Sequence, residues 1–81
     1  MLKKWTVYLH KGDEEISYGD LTKIAPVKKT EEINGVRVKR AKEDIERDTL
    51  ILRERIIREL NARLPSACLR QKTMYYYAVE Y

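Results

Sequence analysis

Between Ala41 and Leu64 the sequence AKEDIERDTLILRERIIRELNARL contains neither glycine nor proline and is dense in good helix formers, which predicts one unbroken α-helix. Pro65 ends it by withholding a backbone donor from the next turn. Glu43–Arg47, Glu54–Arg58 and Glu59–Arg63 stand in the favourable order at i,i+4. This segment constrains everything else. Its 24 residues would span ~36 Å. A compact 81-residue chain has a radius of gyration of about 12 Å and hence a diameter of roughly 30 Å. A helix of that length must break, project, or lie against a second chain.

Its apolar pattern favours the last of these. At ~100° per residue, Ala41, Ile45, Thr49, Leu52, Ile56 and Leu60 form one seam. Leu50, Ile57 and Leu64 form a second, about 90° round the wheel. Glu46 and Arg53 fall between the two, where a single-sided core would not place charge. One seam is expected to cover a sheet. The other, with Leu50, Arg53, Ile57 and Leu64, is expected to meet a symmetry mate in a homodimer. The competing arrangement is one broad face on one sheet.

The remaining segments read as strands. In KKWTVYLHK, Trp5, Val7 and Leu9 alternate with Thr6, Tyr8 and His10, the period of a half-buried strand. Gly12 and the charge cluster KGDEE end it in a surface turn. Residues 16–25 stay open: Asp20 caps one helical turn carrying Leu21 and Ile24 before Pro26, or these residues pin an irregular loop. VKKTEEINGVRVKR is a hairpin, because Asn34-Gly35 suits a type I′ turn with positive φ at both positions. That turn pairs Ile33 with Val36, Glu32 with Arg37, Glu31 with Val38 and Thr30 with Lys39. PSACLRQK turns the chain, with Ser66 placed to cap a short extra turn. The final strand, TMYYYAVEY, is apolar on both faces, which places it in the sheet interior beside the first strand. The expected architecture is a single α+β domain over residues 1–81: an antiparallel sheet of three or four strands, in the order β-β-β-α-β, packed on one long helix.

Catalytic chemistry has little to work with. His10 is the single histidine and closes a strand beside Lys11 and Gly12, the place of a solvated side chain. Cys68 is the single cysteine, which rules out an internal disulfide and a cysteine metal cluster. Glu14-Glu15 and Glu31-Glu32 are strand neighbours that point to opposite faces. Gly12, Gly19 and Gly35 are too scattered to cradle a phosphate. The expectation is a non-enzymatic protein without metal or small-molecule cofactor. With one cysteine, no apolar run of signal-peptide length near its start and no membrane span, the chain is expected to be cytoplasmic.

Two binding constellations remain. The first is basic: Lys28, Lys29, Arg37, Lys39, Arg40 and Lys42, at the open end of the hairpin and the helix start. The net charge is +4, and its excess lies mainly in the first half, with nine Lys/Arg against six Asp/Glu in residues 1–40. Such a cluster suits phosphate contacts, which position a nucleic acid without reading bases. The second is aromatic. There is no phenylalanine, so every ring in the chain carries a polar atom, a composition suited to half-wet sheet faces and interfaces. Tyr8, Tyr75, Tyr77 and Tyr81 are placed to stack bases or to bind a larger protein, unless the helix covers them. The sequence therefore points to a nucleic-acid-associated protein. The alternative is a protein-binding module or inhibitor, of the accessory kind carried by viruses and mobile elements.

Overall fold

The computed structural model describes residues 3–81. The elements are β1 (Trp5–Lys11), β2 (Glu14–Asp20), α1 (Leu21–Ile24), β3 (Thr30–Ile33), β4 (Val36–Lys39), α2 (Lys42–Ala62), α3 (Ser66–Gln71) and β5 (Met74–Glu80). The class is α+β, with small antiparallel sheets and one long helix. β2, β1 and β5 form a three-stranded sheet in that order, while β3 and β4 pair only with each other.

Three differences from the sequence expectation have physical causes. First, the turn after β1 is only Gly12-Asp13, and Glu14–Asp20 returns as a strand with Lys11 opposite Glu14 and Leu9 opposite Ile16. It continues past an irregularity: Tyr8 faces Ser17 but Val7 faces Gly19, so Tyr18 is an extra, bulged residue. The bulge lets Tyr18 meet Tyr76 edge-on, centroids 5.4 Å apart. Second, β5 lies beside β1 as expected but is an edge strand; β1 is the interior one. Third, the helix neither breaks nor folds back into a compact body. Over 21 residues it spans ~32 Å, and the molecule measures 51 × 23 × 17 Å with a radius of gyration of 15.6 Å. The helix projects, and the hairpin projects with it.

The core is small and lies between one face of the sheet and α2. Val7 and Leu21 are completely buried, Leu60 nearly so, with Trp5, Ile24, Ile56, Ile57 and Tyr76 packed round them. Of the two readings left open for residues 16–25, the cap is the one that forms: Asp20 Oδ1 accepts from Thr22 N at 3.0 Å and Thr22 Oγ1 at 2.8 Å. That cap drives Leu21 into the core. Further up α2, Ile45 and Thr49 are buried, with Thr49 Oγ1 donating to Ile45 O at 2.7 Å. The helix surface pairs Arg47 with Asp44 and Arg55 with Glu59 rather than using the expected i,i+4 partners of Glu43, Glu54 and Glu59. Among the described residues, no helix is long and apolar enough to cross a membrane.

Candidate interaction surfaces

The hairpin β3–β4 adopts the register that Asn34-Gly35 dictates, with φ of 52° and 80° at the two turn residues. Every residue of both strands is exposed. Thr30, Glu32, Arg37 and Lys39 share one face; Glu31, Ile33, Val36 and Val38 share the other. The ribbon is tied down at its base by Arg40. Arg40 N donates to Lys29 O at 2.9 Å, Nη1 donates to Lys28 O at 3.0 Å, and Nη2 pairs with Asp48 Oδ2 at 2.5 Å. The Asp48 bond raises the guanidinium pKa further above its ordinary value.

The six predicted cations therefore divide by role. Arg40 is a half-buried strap between hairpin and helix, while Lys28, Lys29, Arg37, Lys39 and Lys42 stay exposed. Lys28, Arg37 and Arg40 share a concave surface of about 610 Å³ with Thr30, Glu31 and Glu32. Between Lys28 and Lys42 the chain has six cations against those two carboxylates, a surplus of four, equal to the +4 of the whole chain. The rest of the molecule is formally neutral. The helix start adds Lys42 but no free anion site of consequence, because Glu43 and Asp44 already occupy its first turn.

Tyr8, Tyr75 and Tyr77 occupy the sheet face opposite the helix, while Tyr76 and Tyr18 lie on the helix face. Trp5, Val7 and Tyr76 point to α2, so alternation turns Thr6, Tyr8 and His10 of β1, and Tyr75, Tyr77 and Val79 of β5, to the other side. Tyr8 stacks on Tyr77 with centroids 5.7 Å apart, and His10 stacks on Tyr75 at 4.8 Å. Glu15, opposite His10 on β2, accepts from Tyr77 Oη and lies 2.5 Å from His10 Nδ1. These bonds, Tyr77's first, hold the Glu15 carboxyl below its usual range, and the same carboxylate pushes Tyr77 up to about 12. Tyr81 Oη donates to Asp20 Oδ2 at 2.9 Å, so Asp20 both caps α1 and anchors the end of the chain. Asp20 is lowered mainly by Thr22, and Tyr81 is raised by Asp20.

The structure brings Tyr8, Tyr75 and Tyr77 together on one uncovered face, with Tyr81 at its margin. It also assigns to this face residues that sequence reasoning missed: Glu15 and the stacked His10. The signal was present in the alternation of Ile16 and Tyr18 with Glu15 and Ser17, which marks β2 as a strand. The second helix seam is dispersed. Arg53 lies 4.4 Å over the Trp5 ring, Ile57 packs on the core, Leu64 is half-buried, and only Leu50 is exposed. Comparison of the chain with protein-family models, with curated proteins and with solved structures finds no match.

Proposed function

We propose that this chain is a small non-enzymatic nucleic-acid-binding protein that grips the phosphate backbone with the β3–β4 ribbon. One observation carries the reading: the surplus of four positive charges in residues 28–42 equals the net charge of the whole chain, and it gathers at the base of an exposed two-stranded ribbon, on Lys28, Lys29, Arg40 and Lys42. A ribbon of this width fits a major groove, and lysines without fixed partners contact phosphates rather than bases. Lys28, Lys29, Arg37, Lys39 and Lys42 are the gripping residues; Arg40 holds the ribbon in place for them.

Fluorescence anisotropy of a labelled duplex, titrated across salt, tests this. Five phosphate contacts predict a slope of log affinity on log salt of about −4 to −5. No complex at micromolar protein in low salt would end the proposal.

A second reading rests on a different surface. The strands place two carboxylates, Glu15 and Asp20, among the rings of the tyrosine face, which suit a protein partner better than a polyanion. A stoichiometric complex that survives high salt and is lost on Tyr75→Ala, with nucleic-acid binding retained, would favour it.

A further inference from the structure

The edge of β5 is half closed and half open, and the closed half defines the geometry of the open half. Asn61, near the end of α2, holds Tyr76 from the side: Tyr76 N donates to Asn61 Oδ1 at 2.7 Å, and Asn61 Nδ2 donates to Tyr76 O at 3.2 Å. A side-chain amide here replaces the strand that an edge would otherwise recruit. Since Tyr76 turns both backbone groups away from β1, the two-residue alternation of an antiparallel pair does the same for Ala78 and Glu80. Two bonds at the strand's ends confirm the phase: Gly12 N donates to Thr73 O and Tyr81 N donates to Lys4 O, so the odd-numbered residues face β1. At Asn61 the helix lies beside this edge, but at Arg53 it has crossed over Trp5 of β1. Beyond Tyr76, no other described residue bonds the outward backbone groups of Ala78 and Glu80.

We infer that a second copy of this chain adds to that edge, with Val79 on the two-fold axis and Ala78 of each chain paired with the partner's Glu80. Three in-phase two-fold registers are centred on the open half of the edge, at Ala78, Val79 and Glu80. Pairing Ala78 with the partner's Ala78 would bring Glu80 against the partner's Tyr76, whose backbone Asn61 already occupies. Pairing Glu80 with the partner's Glu80 sets like charges face to face. The Val79-centred register avoids both.

Charge complementarity supports the same register. Ala78 lines a groove of about 440 Å³ between β5 and α2 with Arg53, Glu54, Ile57 and Arg58, two guanidiniums against one carboxylate. Side chains of Ala78 and Glu80 point to the helix face. The partner's Glu80, opposite Ala78, therefore enters a groove where Arg53 and Arg58 outnumber Glu54, and the exchange is reciprocal. On the other face Val79 meets the partner's Val79, and Tyr77 meets the partner's Tyr81. Val79 and Tyr81 are 43% and 64% exposed in the single chain. The product is a six-stranded sheet whose two tyrosine faces are continuous. This inference is independent of the nucleic-acid reading, because the β5 edge shares no residue with the ribbon.

The test is light scattering behind a sizing column, together with cysteine cross-linking. Wild type is expected at twice the 9.7 kDa chain mass. Glu80→Lys is expected to be monomeric with unchanged circular dichroism, and Glu80→Lys with Arg58→Glu is expected to recover the dimer. In a Cys68→Ser background, V79C is expected to form an interchain disulfide, because a non-hydrogen-bonded pair sets Cα atoms roughly 4.5 Å apart, within disulfide reach. I51C, on the exposed helix surface, is expected not to. A monomeric wild type at hundreds of micromolar overturns the inference. So does a dimer that E80K leaves intact and V79C does not cross-link.

Discussion

The two antiparallel sheets of this molecule are built on opposite terms. The three-stranded sheet has a core: Val7 and Leu21 are fully buried, and α1 and α2 pack on one face. The β3–β4 ribbon has none, and its apolar residues Ile33, Val36 and Val38 are open to solvent. An isolated hairpin is marginal in water, yet this one keeps a defined register because Asn34-Gly35 sets the turn and Arg40 clamps the base. The body has structure without net charge; the ribbon and the segments at its base, residues 28–42, have the net charge with little structure beneath it. Folding and the proposed function therefore rest on different residues.

The widest separation is expected in stability. Leu21→Ala should destabilise the chain by about 2–5 kcal/mol, as deletion of a buried leucine does, enough to threaten a domain with so small a core. Val36→Ser on the ribbon, at a site 61% exposed, should change it by no more than about 0.5 kcal/mol. Thermal melts of the two variants compare them directly. Equal losses would mean that the ribbon packs on the body after all.

Asn61→Ala is next in size. It removes both side-chain bonds to Tyr76 and should cost about 1–2 kcal/mol, while exposing the closed half of the β5 edge. Hydrogen exchange at Tyr76 should rise from a protected to an unprotected rate. Protection that persists would show that another group satisfies this edge.

Arg40→Ala should leave the body's melt unchanged and abolish exchange protection at the Arg40 amide, which bonds Lys29 O at 2.9 Å. Retained protection would show that the ribbon needs no clamp. The smallest effect concerns pH. Tyr77 is raised from 10.0 to about 12 by its bond to Glu15, so the folded state holds that proton more tightly. Its contribution is complete below pH 10.0 and lost as pH rises towards 12. Glu15 is shifted downward, so its contribution holds above the ordinary 4.5 and fades as pH falls through the lowered value. Tyr77→Phe should flatten the alkaline limb of a stability profile and leave the ribbon's amides unaffected.

Legibility in the sequence follows the same division. The hairpin register was readable because a two-residue turn chemistry is local; the Asp20 cap was one of two arrangements the local sequence allowed. β2 was obscured by its composition: Glu14, Glu15, Ser17 and Gly19 are poor strand formers, held in place by pairing with β1 rather than by propensity. β5 was misplaced because two apolar faces imply two coverings. One face does meet α2, through Tyr76. The other is aromatic because its rings cover one another, Tyr8 on Tyr77 and His10 on Tyr75. Of the basic cluster, the residues were readable but the separate duty of Arg40 was not, since Asp48 lies a turn and a half into the next helix.

Nucleic-acid binding by the basic cluster of residues 28–42 is proposed to be separable from the fold. Its most direct test is anisotropy on a labelled duplex with a chain carrying Lys28→Gln, Lys29→Gln, Arg37→Gln, Lys39→Gln and Lys42→Gln, with Arg40 kept. The expected result is a native circular dichroism spectrum, loss of the complex that wild type forms at low salt, and a salt slope near zero. Wild-type affinity and slope in that variant would contradict it.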